Sequence, residues 1–216
     1  MAYIEGRTVH DADAHVMELP DKILEYLAPS AVDAFIKTAN KPITVSQDLQ
    51  KAVALQSDPS FRAEDDAQLM LRKNHLALGA FEAKDRPKTL DLLGFTSQLV
   101  FTTAALGNFG LDEKDPALAQ AAAQAHNRMN SDFCSVDPRL LATGYVPLSD
   151  LDAAPGIAIE AIELGCRGLI VPSACPAQHS PSHRGLDPLW ALLEEAGLPV
   201  LFHVGGEEKM AAAYAN

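Results

Sequence analysis

Gly168-Leu-Ile-Val171, then Asp187-Pro-Leu-Trp-Ala-Leu-Leu-Glu-Glu-Ala-Gly197, then Leu198-Pro-Val-Leu-Phe-His-Val204 is the run that decides the fold. A short, continuous apolar segment such as GLIV is the pattern of a strand covered on both faces. Asp187-Pro188 opens a helix, LWALLEEA, and Gly197 stops it. LPVLFHV then reads as a further buried strand. Strand, helix and strand with short joins make a βα unit, and the second strand must run parallel to the first.

The same grammar extends towards the N-terminus. Leu140–Pro147 reads as a strand and the segment from about Asp152 to Leu164 as a helix ending at Gly165. Ser97–Thr103 (SQLVFTT) is rich in β-formers, and Asp115-Pro116 caps a helix running towards Phe133. Thr8–His15 reads as a first strand. About 80 residues separate it from the second, far more than one crossover needs. Residues 16–95 are therefore expected to form a helical insertion, a cap or lid and not an independent domain. Helical patches are expected near Lys22–Leu27, Glu64–Phe81 and Pro87–Leu93, with one domain spanning residues 1–216.

Composition narrows the function classes. The 216 residues carry 17 Lys+Arg against 29 Asp+Glu, a formal net charge of -12, with 48% hydrophobic and 21% charged residues. This is a globular balance, and a surface so acidic repels phosphate backbones and anionic lipid. No nucleic-acid or membrane partner is expected. Cys134, Cys166 and Cys175 contain no C-x-x-C pair and read as reduced thiols. Met1–Arg7 lacks the apolar core of a signal peptide, so a soluble cytoplasmic protein is expected.

The chemistry concentrates in His10-Asp-Ala-Asp-Ala-His15. In a regular strand, positions 11, 13 and 15 share a face, with small alanines between them. Two carboxylates and an imidazole are costly to bury unless something positive sits among them, and a divalent cation would meet that need. The alternative is a polar strand end, where D-x-D is common. His203 stands at the end of an otherwise apolar strand, and parallel sheets build their sites at the carboxyl ends of strands. Asp13 and His15 also come late in theirs.

Other residues carry less. His179 and His183 have the i,i+4 spacing of helical zinc ligands, but Pro181 between them argues for a polar loop. Arg184 in that loop could steady a substrate carboxylate or simply be solvated. His75 reads as a satisfied or surface histidine, and Asn108 and Gly110 as loop residues without an assigned role. Gly205-Gly206 lacks phosphate-binding spacing, so no nucleotide cofactor is expected.

Five ordered stretches now carry a family resemblance: Asp11-Ala-Asp13-Ala-His15-Val-Met-Glu18; Arg86-Pro-Lys-Thr-Leu-Asp91-Leu-Leu-Gly94 leading to Val100; Asn127 through Asp137-Pro-Arg-Leu140 to Tyr145-Val-Pro-Leu148; Glu163-Leu-Gly165-Cys-Arg-Gly168-Leu-Ile-Val; and Asp187-Pro-Leu-Trp190 to His203. Together they resemble the amidohydrolase superfamily, in its amidohydrolase-related (type 2) branch of metal-dependent hydrolases and decarboxylases. The resemblance implies a distorted (β/α)8 TIM-barrel-like α/β fold holding one divalent metal, with Asp13, His15 and His203 as its ligands. Asp13 stands where many relatives have histidine. Zinc is the first expectation, with manganese or iron also suited, and Asp11 is implied to act behind the ligands.

The implied activity is a hydrolase or a carboxy-lyase acting on a small carboxylated or cyclic substrate. In the first, the metal activates a water and polarises a carbonyl; in the second, it grips a carboxylate while a ring carbon is protonated. Catalytic residues are not assigned, because the family's later histidine and late-strand aspartate are not in this sequence. Two rival readings stand: an open-sheet α/β protein that binds a small ligand or partner without catalysis, and an inactive, C-terminally truncated chain. Only twelve residues follow Val204, whereas three more βα units need about 75. The expectation is thus the first five units of eight, with open strand edges that invite association into homo-oligomers.

Overall fold

The computed structural model of the chain describes residues 2–38, 45–108, 111–172 and 179–203. Cys175, Gly110 and everything from Val204 onward, Gly205-Gly206 included, lie outside the described residues. Five parallel strands, β1 (His10–Val16), β2 (Ser97–Thr102), β3 (Leu140–Tyr145), β4 (Gly168–Ile170) and β5 (Val200–Leu201), pair in chain order. Helices Pro116–Cys134, Ala154–Glu163 and Asp187–Ala196 make the crossovers and cover the outer face. The sheet is curled into a half-barrel. Across a flat five-stranded sheet the edge strands would stand about 19 Å apart at four spacings of roughly 4.8 Å, yet His15 on β1 and His203 beyond β5 meet at 3.1 Å.

The crossover helices begin and end where their sequences say. Asp115 accepts a hydrogen bond from the Leu118 N–H at 3.0 Å and caps Pro116–Cys134. Gly94 and Gly197 take left-handed backbone angles at the ends of Arg86–Leu93 and Asp187–Ala196. Gly94 is required twice over, since a Cβ there would stand 2.1 Å from the Ile4 carbonyl oxygen.

One core fills the space between sheet and helices, with Leu90, Val100, Val146, Ala158, Ala161 and Leu169 wholly buried. The β2–β3 ladder stops at Val100–Ala142, and the strands part beyond it. Asn130, on the helix Pro116–Cys134, donates to the Val100 and Thr143 carbonyls at 2.9 and 2.8 Å. Asn127 exchanges two hydrogen bonds with the Tyr145 backbone. Two buried amides thus satisfy backbone groups that the diverging ladder leaves open.

Three expectations need correction. The patch Glu64–Phe81 is helical only at Asp65–Gln68 and, as a 3-10 turn, at Asn74–Leu76. Side-chain pairing directs this segment: buried Asp65 gathers Arg62 and Arg72 at 2.9 and 2.8 Å, and Asn74 (φ 51°) and Gly79 (φ 68°) break the helical path. The longer helices of the insertion fall instead at Pro29–Thr38 and Gln47–Gln56, stretches without a helical assignment in the sequence reading. The last strand is not buried. β5 pairs over two residues with β4, has no second neighbour among the described residues, and leaves Phe202 exposed. The insertion lays Ile23, Leu27 and Phe35 against Leu118, Ala119 and Ala122 of Pro116–Cys134. Cys134 and Cys166 are buried free thiols, pushed up to about 12 by burial.

On the same helix, Pro116–Cys134, His126 is 1% exposed, its Nε2 3.0 Å from the Asn108 amide nitrogen. Burial depresses its pKa from 6.5 to about 3. Between these values the unfolded chain takes up a proton and the folded chain does not. The stability is therefore complete above pH 6.5 and is lost as pH falls towards 3, by up to about 1.4 kcal/mol per pH unit. Urea midpoints measured across this window should fall less steeply in His126→Gln than in the parent protein; parallel curves would contradict the assignment.

Candidate metal centre

The site is built at the carboxyl ends of β1 and β5. β1 carries a register irregularity between Asp11 and Ala14, so its face pattern is not the simple alternation expected of positions 11, 13 and 15. Asp11 turns to the neighbouring strand and accepts from the Gln98 amide at 3.0 Å and from the Asp13 backbone N–H at 3.1 Å. Gln98 in turn accepts from the buried Arg86 Nε at 2.9 Å. The chain Arg86–Gln98–Asp11 braces the irregular stretch, and Arg86 also donates to the Gly79 carbonyl.

Past the irregularity, Asp13 and His15 converge with His203. The Asp13 Oδ1 lies 3.0 Å from His203 Nε2 and 3.4 Å from His15 Nε2, and the two Nε2 atoms are 3.1 Å apart. Phe101 on β2, buried and opposite His15 in register, sets both rings. The His15 ring stacks on it at 5.6 Å between centroids, and the His203 ring tilts against it at 5.0 Å. Burial, followed by the facing His203, pushes the His15 imidazole below the usual histidine range, against the opposing pull of Asp13.

This donor set fits a cation. Each imidazole nitrogen offers one in-plane proton or one lone pair, so His203 Nε2 cannot bond the carboxylate and the second imidazole equally well. A cation held at about 2.0–2.2 Å by such donors spaces them by about 2.8–3.6 Å between octahedral and tetrahedral angles. All three observed separations lie in that range. One carboxylate and two imidazoles suit zinc, manganese or iron.

The other sequence candidates stand elsewhere. His179 and His183 face each other at 5.4 Å between rings, but neither joins the Asp13–His15–His203 group. His183 instead accepts the Gly185 N–H and caps the short turn Arg184–Leu186, on which Arg184 is exposed. His75 is half-buried beside Phe81. Sequence reading did not single out Phe101, Gln98 or Thr103. Only strand register, which puts Phe101 opposite His15 and Gln98 opposite Asp11, brings the first two to the site.

Comparison with known proteins agrees with this architecture. The Amidohydrolase family model matches residues 11–216. An amidohydrolase from Mycobacterium avium subsp. paratuberculosis K-10 superposes with a TM-score of 0.66 at 20% identity, over 94% of this chain and 60% of its own. A 5-carboxyvanillate decarboxylase from Novosphingobium aromaticivorans DSM 12444, solved with manganese and 3-methoxy-4-hydroxy-5-nitrobenzoic acid, gives 0.57 at 15% identity, over 98% of this chain and 54% of its own. The chain therefore spans somewhat more than half the length of these neighbours. No curated protein matches it by sequence. No helix among the described residues is long and apolar enough to cross a membrane.

The bracing chain behind β1 yields its own test. Gln98→Leu keeps side-chain volume but deprives both buried Arg86 and Asp11 of a partner. It should lower the unfolding free energy by about 2–3 kcal/mol in chemical denaturation, and a loss below about 0.5 kcal/mol would show the chain to be dispensable.

Proposed function

Because the chain belongs to the amidohydrolase family, we propose that Asp13, His15 and His203 hold one divalent cation. We further propose that the protein is a metal-dependent hydrolase or carboxy-lyase acting on a small carboxylated or cyclic substrate. The observation that carries this reading is the convergence of three ligand atoms, all within 4.8 Å of one another, from opposite edges of the half-barrel. When bound, the cation supplies Lewis acidity that activates a water or grips a substrate carboxylate. Zinc is the first assignment; the manganese in the decarboxylase neighbour makes that ion the main competitor.

This chain's own residues do the remaining work. Asp13 presents an open carboxylate, 72% exposed, on the accessible side of the site, while the His203 side chain is only 14% exposed. With a cation bound, the Asp13 carboxylate would offset only part of its charge, and the imidazoles, ligating through lone pairs, would leave the rest to attract an anionic group. Phe101 closes the inner side and keeps the imidazole nitrogens aimed at one point. Arg86 and Gln98 hold the strand that carries Asp13 without entering the site.

Metal content decides the matter. Purified protein equilibrated with zinc or manganese and then desalted should retain one ion per chain by inductively coupled plasma mass spectrometry. Asp13→Ala and His203→Ala should each weaken retention at least tenfold while leaving the far-ultraviolet spectrum unchanged. If the parent protein retains no ion, or both variants retain as much as the parent, the assignment is wrong.

A further inference from the structure

Thr103 is the first residue after β2, and it makes three directed contacts at the end of β1. Its hydroxyl oxygen is 2.8 Å from the Val16 carbonyl and 3.2 Å from His15 Nδ1. Its backbone N–H donates to the Glu18 carboxylate at 3.0 Å, and Glu18 is buried. A hydroxyl has one proton to give and lone pairs to receive. The Val16 carbonyl can only accept, so the Thr103 proton goes there; the Met17 sulfur at 3.5 Å is a weaker, longer acceptor. The remaining hydroxyl lone pair then faces His15 Nδ1, and the bond forms only if Nδ1 carries the ring proton.

We infer that Thr103 is a positioning residue that locks His15 in its Nδ1–H tautomer and so turns an Nε2 lone pair towards Asp13 and His203. The inference rests on the metal-centre reading for its purpose but not for its geometry. The opposite tautomer would place a proton on Nε2, pointing into the space between the three ligand atoms, and that proton would have to leave before a cation could bind. It would also leave Nδ1 and the Thr103 oxygen facing each other as two acceptors. Thr103 is held from two sides, its hydroxyl by the Val16 carbonyl and its backbone N–H by the Glu18 carboxylate. The hydroxyl is thus a fixed acceptor, unlike a freely turning surface group. Its reach back to β1 also ties the ends of the two strands together on the site side.

Two readouts on the full chain test this. In metal-free protein at pH 8, nitrogen-15 shifts of the His15 ring report the tautomer directly; competition with a chromophoric chelator reports zinc affinity. The parent should show the Nδ1–H form. Thr103→Val, which removes the acceptor at constant volume, should shift His15 towards the Nε2–H form and weaken zinc binding by about 10–100-fold. Thr103→Ser should restore both to near the parent values. Thr103→Ala serves as a second acceptor-free variant should the valine chain fail to fold. A His15 tautomer unchanged in an acceptor-free variant overturns the inference, whatever the zinc result. If instead the parent binds no zinc while the tautomer still follows the Thr103 hydroxyl, the positioning role stands and the metal-centre reading falls.

Discussion

The meeting of His15 and His203 across the curled sheet is the constraint on which the rest of the structure depends. These residues are separated by 188 positions and belong to opposite edges of a five-stranded sheet. They can touch only if each strand is rotated and tilted against its neighbour until the edges face one another. Everything that sets the curl therefore also sets the site. The glycine-to-side-chain contacts along the sheet are part of this: Gly144 on β3 lies where a Cβ would press on Leu169 and Ala161, so strand and crossover helix approach more closely there than any other residue would allow.

Curling has a local cost, which buried polar side chains offset. Where β2 and β3 part, Asn130 and Asn127 reach in from the helix and take over the backbone partners. Where β1 loses register, Asp11, Gln98 and Arg86 hold it. Asp112 does the same for the loop after β3, accepting the Leu148 and Ser149 N–H groups at 2.7 and 3.1 Å. None of these groups takes part in the proposed chemistry. They are what allows irregular backbone at the carboxyl ends of strands, the one place where side chains can leave the packed interior and face a ligand.

Different parts of the molecule were legible to different degrees. The helices Pro116–Cys134 and Asp187–Ala196 could be read because caps, N1 prolines and terminal glycines are local signals. The strand GLIV was legible because burial on both faces writes a continuous apolar run. The insertion was not, since its shape follows from ion pairs such as Arg62 with Asp85, which join residues 23 positions apart and leave no periodic trace. Thr103 was invisible for a related reason. A threonine in a β-rich run reads as a strand former, and nothing local says that its hydroxyl faces a histidine 88 positions away.

The sequence by itself determined the βα order, the parallel sheet and the residue types at the strand ends, because hydrophobic period, capping and chain order are properties of neighbouring residues. The family resemblance that its motifs carry also implied Asp13, His15 and His203 as a set of ligands. Only the tertiary structure decided that Asp11 turns to Gln98, that Phe101 packs on both rings and the Thr103 hydroxyl faces His15, and that one donor atom from each of the three lies within 4.8 Å of the others. Those facts depend on strand register and sheet curvature, which arise from contacts between residues distant in the chain and are not encoded in any short stretch of it.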